Sequence, residues 1–325
     1  AFLVIRNDSI IYENYFNGFN KESLLPSFSV AKSFVGTLTG IAVQEGKVSL
    51  DAPITQYIPE LKKNDPRFEK ITIQQLMDMR SGIKFNEGSY DLKDDAIKLG
   101  FRPNSEKQIR KLKIEMPSGE KFNYQSINTF LLGIALERVT GRSLSEYLSE
   151  KLWKPAGMEY SATWTIDSKA HHQEIAFAGV NATARDFARL GQLYLKKGAI
   201  NNHRILSETW VRSTVDVDTM RKYDGYKNQF WGVSRYVSFP DSLDALKYKE
   251  NNKNTGIIRS YFDKNKHKTF YVTYATPEFH AEGILDEFVY VDPTKNLIIV
   301  RLGHNWKSKS FSNALNFLKS LAYEL

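Results

Sequence analysis

Cysteine does not occur in this chain of 325 residues, which excludes disulfides, thiol nucleophiles and cysteine-ligated zinc. No apolar run approaches the length a membrane-spanning helix needs, so no stable membrane insertion of this chain is expected. Internal repeats and low-complexity tracts are also missing, which removes solenoid and linker-rich architectures. Acidic residues fall short of basic ones, 37 against 45, leaving a net charge of +8 and a pI near 9.2. Much of the surplus is local. Between Lys247 and Lys268 seven Lys/Arg stand against Glu250 and Asp263, and the stretch from Lys247 to Gly256 reads as a solvated polar loop. No nucleic-acid motif accompanies the charge, so no nucleic-acid partner is expected. The chain opens on Ala1 rather than an initiator Met, the pattern of a processed or trimmed product, for which an exported or periplasmic location is favoured.

What the chain does contain is 42% hydrophobic residues, enough to bury a sizeable core in one large domain or two lobes. The stretch around which the rest is organised is Pro26-Ser-Phe-Ser29-Val-Ala-Lys32-Ser-Phe-Val-Gly36. Apolar residues at Ala31, Phe34, Val35, Leu38, Ile41 and Ala42 form a helical stripe that Gly46 closes, so a helix starts at or just before Ser29. Three residues are close to one turn, which puts Ser29 and Lys32 on one face as a candidate nucleophile and base. The helix start and an apolar surrounding both disfavour the ammonium form of Lys32. The N–H of Ser29 is a candidate half of an oxyanion hole. By itself Ser-x-x-Lys is unspecific: Ser81-Gly-Ile-Lys84 and Ser118-Gly-Glu-Lys121 match as well, each with Gly after Ser as a turn signal. The plain alternative for Ser29 is an ordinary helix N-cap.

Along the chain, Phe2 to Ile5 and Ile10 to Phe16 read as a hairpin about Asn7-Asp8-Ser9. Thr72-x-x-Gln75 and Ser143-x-x-Glu146 are capping boxes, and Thr183-Ala-Arg-Asp186 starts a further helix. Pro117 to Ser126 is a turn that delivers Tyr124 and Ser126 ahead of a helix closed by Gly141. Residues 72 to 198 thus read as mostly helical. Asp91, Asp94 and Asp95 lack a metal-loop pattern and read as a solvated loop or helix start. Thr269 to Tyr274, Glu287 to Val291 and Leu297 to Leu302 read as strands, the last two joined across Asp292-Pro-Thr-Lys-Asn296. Ser312 to Leu325 is an amphipathic helix. Strands at both ends imply one sheet built from the two termini, with a cleft between lobes as the expected site.

Several segments together resemble the serine β-lactamase and penicillin-binding-protein superfamily, in its class C-like esterase and 6-aminohexanoate-dimer hydrolase branch. They are Ser29-Val-Ala-Lys32, Leu76-Met-Asp-Met-Arg-Ser-Gly82, Tyr124-Gln-Ser126, Asn181-Ala-Thr-Ala-Arg-Asp186, and Gly283 followed by Val289-Tyr-Val-Asp-Pro293. The resemblance implies that Ser29 is acylated with Lys32 as base. It likewise implies that Tyr124 relays the proton to the leaving group and activates the deacylating water, and that Ser126 hydrogen-bonds Lys32 or the substrate amide. The family's third motif, Lys-Thr-Gly or His-x-Gly, falls on Phe279-His280-Ala281-Glu282-Gly283-Ile284, where either His280 or Ala281 takes the Lys position. Lys and Thr are missing, which weakens the case for a substrate carboxylate of the penicillin or peptidoglycan-tail kind. Gly283 permits close backbone approach, and the Ile284 N–H is a candidate second oxyanion donor.

The expected fold is α/β (α+β), β-lactamase-like: an antiparallel sheet lobe from 1–60 and 206–325, a helical lobe from 61–205, and the site between them. The expected activity is a serine hydrolase acting on a small-molecule ester or amide, with catalytic Ser29, Lys32 and Tyr124 and substrate-binding Ser126, His280, Gly283 and Ile284. No metal and no organic cofactor is called for. A β-lactamase or D-amino-acid peptidase is the first alternative and a non-hydrolytic penicillin-binding-type binder or sensor the second; an interaction protein using its basic loop is a third. His171-His172 reads as surface loop. His304 is a candidate pocket residue, and Trp164, Tyr226 and Trp231 are cleft walls or core.

Overall fold

A computed structural model describes residues 1–89, 91–223, 225–252, 255–262, 267–303 and 311–325. The expectation for His304 lies outside them. The frame is an eight-stranded, antiparallel sheet: β1 (Phe2–Arg6), β2 (Ser9–Asn14), β3 (Tyr226–Lys227), β4 (Phe230–Phe239), β5 (Thr255–Phe262), β6 (Lys268–Gly283), β7 (Glu287–Asp292) and β8 (Leu297–Arg301). The spatial order is β2-β1-β8-β7-β6-β4-β3, and β5 pairs with the first half of β6 along the edge that β7 takes further on. The two chain ends therefore meet in the middle, with Leu3 opposite Val300 and Val289 opposite Val300 on the other side. This is the antiparallel sheet from both termini, flanked by helices, that is expected from the sequence.

Local chemistry explains the punctuation. Asn7 and Asp8 take left-handed φ of 51° and 63°, the conformation that a tight hairpin needs and that these two residue types tolerate best. Helix α1 (Val30–Gln44) follows Ser29 and runs through the centre of the core, so that even Lys32, Ser33, Thr37 and Thr39 are buried. The Thr72 capping box forms with both reciprocal bonds and starts α2 (Ile73–Met77). Asp94 accepts from the N–H groups of Ala96 and Ile97 and so caps α3 (Asp95–Phe101), which makes the acidic cluster a helix start. Helix α4 (Ser126–Thr140) ends on Gly141 at φ 66°, and the Ser143 box starts α5 (Leu144–Leu148). Helix α6 (Ala184–Leu195) is capped by Thr183 and lies on the sheet, its Gly191 against Val289, Val291 and Ile298.

Helices α7 (Glu208–Val215) and α8 (Val217–Lys222) lead into β3, and the terminal helix α10 (Phe311–Glu324) covers the opposite sheet face at Val4, Phe288, Tyr290 and Ile299. Three expectations are corrected. The first half of the stretch from Lys247 to Gly256 is helix rather than loop: α9 (Ser242–Asn251) is capped by Asp241, buries Ala245 and sets Tyr248 against Phe239. Residues 154–183 contain irregular chain and the short strands Thr163–Trp164 and Val180–Ala182, so the middle of the chain is less helical than its periodicity implied. The strand read as Thr269 to Tyr274 is less than half of β6.

Candidate active site

The sequence places a serine and a lysine one turn apart; tertiary contacts decide what that pair can do. The approach to α1 is tied down by the two-residue strand Leu25–Pro26, which pairs with the strand Val180–Ala182, and by the Ser27 N–H donating to the Val180 carbonyl at 2.8 Å. Phe28 then turns the chain with φ 41°, a strained value for a residue with a side chain. Ser29 emerges at the N-cap position, but its hydroxyl makes no capping bond. Instead Lys32 Nζ lies 2.8 Å from Ser29 Oγ and donates to the Phe177 carbonyl at 3.2 Å. The plain N-cap reading of Ser29 therefore fails on its own criterion.

Lys32 is 1% exposed, and burial pushes its amine down from 10.5 to about 8, while the Glu87 carboxylate pulls it back up. Among the described residues no carboxylate is bonded to it. Its remaining neighbours are aromatic: Nζ lies 4.9 Å from the centre of the Tyr124 ring and 5.6 Å from that of Phe177. A lysine in this position is a group whose neutral form is within reach near neutral pH.

Tyr124 is held from two sides. The Asn123 N–H donates to the Met79 carbonyl at 2.8 Å, and Gln125 Nε2 to the Phe85 carbonyl at 2.8 Å, which ties the turn to the Leu76–Gly82 segment. That segment needs its glycine: Gly82 has φ 71°, and a Cβ there would run into the Met116 carbonyl. The Tyr124 ring stacks on Trp231 at 5.5 Å and meets Tyr226 edge-on at 5.8 Å. Of the three aromatics left open between cleft wall and core, Tyr226 is buried, whereas Trp231 and Trp164 are half-buried.

Of the two partners expected for Ser126, Lys32 is not the one it meets. Its hydroxyl donates to Glu87 Oε1 at 2.6 Å and its N–H to Glu87 Oε2 at 2.5 Å; the two partners of Lys32 are Ser29 and Phe177. Glu87 thereby satisfies a donor at the start of α4 and adds a charge beside Lys32. It went unnoticed because nothing in Phe85-Asn-Glu-Gly88 distinguishes it from any polar loop.

Gly283 packs so closely on the approach to Ser29 that an added Cβ would stand 2.6 Å from the Ser27 carbonyl oxygen and 3.3 Å from the Ser29 nitrogen. The next residue, Ile284, lines one cavity of about 350 Å³ together with Ser29, Glu87 and Ser126. The rest of that lining is mainly apolar, from Phe28, Ile97, Phe101, Ile175 and Phe177. His280 is elsewhere: buried, stacked on Trp231 at 6.5 Å, with Nε2 3.1 Å from Glu282, so it reaches the site through Trp231. His171 and His172 are exposed loop residues. Among the described residues no cluster of His, Cys, Asp and Glu is arranged to hold a metal.

Ser29 thus lines a predominantly apolar cavity with Ser126 and Ile284, and Lys32 joins it to the Tyr124 ring. A 6-aminohexanoate-dimer hydrolase from Paenarthrobacter ureafaciens is 32% identical over 226 residues, which is 66% of this chain and 56% of that protein's length. The matched region thus spans little more than half of that relative. A solved structure from Bacillus anthracis, assigned as a 6-aminohexanoate-dimer hydrolase, superposes with a TM-score of 0.74 at 26% identity, covering 100% of this chain and 79% of that one. A class C beta-lactamase mutant shares the fold, with a TM-score of 0.63 at 18% identity over 98% of this chain and 91% of its own. The family model described as Beta-lactamase matches residues 1–322, and the chain belongs to that family.

Proposed function

We propose that the chain is a serine hydrolase that cleaves an ester or amide of modest size through an acyl-Ser29 intermediate. The observation that carries the reading is the contact between Ser29 Oγ and a lysine amine that is fully buried and, among the described residues, bonded to no carboxylate. With the amine neutral, the Ser29 O–H donates to Lys32 Nζ and passes its proton there as Oγ bonds to the substrate's acyl carbon. The oxyanion that forms is met by the N–H groups of Ser29 and Ile284; among the described residues neither donates to another backbone carbonyl. The leaving group departs with a proton returned through Lys32 and Tyr124. Water, deprotonated by the same pair, then frees the acid and restores Ser29.

The cavity's aromatic and aliphatic wall suits an apolar acyl or leaving group, and its polar end at Ser126 and Glu87 offers acceptors to a substrate N–H. In this proposal the sheet lobe is 1–60 and 206–325 and the helical lobe 61–205, although α6, inside the latter range, lies on the sheet. A β-lactamase or D-amino-acid peptidase is the lesser reading: the place of a carboxylate-binding Lys-Thr pair is taken by His280, Ala281 and the Glu282 carboxylate, which repels an anionic substrate.

The test is labelling with a fluorophosphonate, read as an intact-mass increase on the parent, Ser29→Ala and Lys32→Ala. The parent should gain one adduct and both variants none, with Tyr124→Phe labelled but turning over an ester poorly. An adduct that persists in Ser29→Ala would overturn the assignment. A single burst of product without steady turnover would convert the reading to an acylated binder or sensor.

A further inference from the structure

The second oxyanion donor of the proposed mechanism, the Ile284 N–H, belongs to the short turn between β6 and β7, closed at its base by Gly283 opposite Glu287. Gly283 sets one end of that turn against Ser29. The remainder breaks a local rule. Leu285 and Asp286 take left-handed φ of 70° and 63°; aspartate tolerates that region, but the Cβ of a leucine crowds its own backbone there. Burial does not hold Leu285 in place, since it is 43% exposed. A disfavoured backbone conformation persists only where its surroundings over-determine it.

Arg301 supplies the restraint. It closes β8 opposite Phe288 of β7 and is 6% exposed. The carbonyl oxygens of Leu285, Asp286 and Gly303 lie 2.5, 2.7 and 2.5 Å from its Nη1. Two of these are successive carbonyls of the turn. The third belongs to Gly303, whose N–H donates to Glu287 Oε1 at 3.4 Å, at the start of β7. One guanidinium nitrogen therefore ties the turn to the end of β8. Desolvation works against a charged group at this depth, and an apolar side chain would fill the same space without that penalty. What the guanidinium adds is a fixed direction for the turn carbonyls. Because Gly283 and Glu287 anchor the two ends, any change of φ at Leu285 or Asp286 has to be shared by Ile284, the residue between them and Gly283.

We infer, on the basis of the acyl-Ser29 reading proposed above, that Arg301 is a positioning residue for the oxyanion hole. By bonding the carbonyls of Leu285 and Asp286 it holds the turn in the conformation that presents the Ile284 N–H to the substrate's acyl oxygen.

The experiment compares hydrolysis of p-nitrophenyl butyrate with that of its thionoester, in which sulfur replaces the carbonyl oxygen, by the full chain and by Arg301→Met, Arg301→Gln and Arg301→Lys. Sulfur is a weak acceptor, so a formed oxyanion hole favours the oxygen ester. In Arg301→Met, kcat for the oxygen ester should fall about 100-fold with KM within about twofold of the parent, and kcat for the thionoester less than tenfold. The preference for oxygen then drops at least tenfold, while Arg301→Lys, which keeps charge and donors, retains it within about threefold. Both esters are read on one preparation, so loss of folded protein cancels from the ratio; Arg301→Gln gives the same readout where Arg301→Met yields no soluble chain. An unchanged preference in Arg301→Met or Arg301→Gln, a loss confined to KM, or an equal loss in Arg301→Lys would overturn the role of Arg301. If the parent still carries a fluorophosphonate adduct on Ser29, the acyl-serine reading survives that result; a parent without the adduct overturns both.

Discussion

Burial of Lys32 should appear directly in the pH dependence of acylation. An amine with the ordinary value of 10.5 is neutral in about one molecule in three thousand at pH 7, whereas one at about 8 is neutral in about one in ten. Desolvation thus supplies about 300-fold more of the neutral amine, the form on which Ser29 attack depends in the proposed mechanism. The rate of fluorophosphonate labelling should rise tenfold per pH unit below pH 8 and level off above it. Glu87 pulls the amine's value up, so Glu87→Gln should move the midpoint to lower pH. A profile flat between pH 6 and 9, or a midpoint that rises in Glu87→Gln, would refute the assignment of Lys32 as the titrating base. The same shift has a cost in stability. The folded-state value lies below the unfolded one, so the unfolded chain holds more protons between pH 8 and 10.5, and stability rises with pH across that window. Below it the full penalty of about 3 kcal/mol applies. Lys32→Met should therefore be inactive yet more stable at pH 7, by about 1–3 kcal/mol after loss of two hydrogen bonds, measured by urea denaturation.

Other consequences can be checked separately. Gly283→Ala drives a Cβ into the Ser27 carbonyl and should cost about 1–3 kcal/mol along with at least tenfold in kcat/KM, read by thermal melting and ester turnover. Trp231→Ala removes the stack under Tyr124; if Tyr124 serves the leaving group and water, steady turnover should fall more than the labelling rate. Glu137 is half-buried and desolvation pushes its carboxyl up to about 7, so its penalty appears as pH rises from 4.5 through 7; Glu137→Gln should stabilise the fold by about 1–2 kcal/mol at pH 8 and little at pH 4.5, by denaturant titration. Lys227→Met leaves Asp78 buried without its 2.6 Å partner and should cost about 3–5 kcal/mol in the same assay.

Elements that depend on neighbours three or four residues away were legible without coordinates. The Thr72 and Ser143 capping boxes, the Thr183 cap, the Asn7-Asp8 turn and the pairing of Ser29 with Lys32 are all contacts within one turn or one hairpin. Strands β4 and β5 went unread for a reason visible in their burial: much of each strand is exposed or half-exposed, so no buried face imposes a strict alternation. The first turn of α9 was hidden in the same way, since Ala245 is the one side chain that it buries.

By itself, then, the sequence determined which chemistry was available: a hydroxyl and an amine forced onto one helical face, a tyrosine delivered by a turn, and glycines where the backbone must crowd. Tertiary structure alone decided the state and setting of those groups. Lys32 meets the Phe177 carbonyl across 145 residues and Ser126 meets Glu87 across 39, while Trp231 comes from the distant β4 to stack on Tyr124. The pKa of a lysine follows from the solvent it has lost and the charges around it, and both depend on which distant segments close over it.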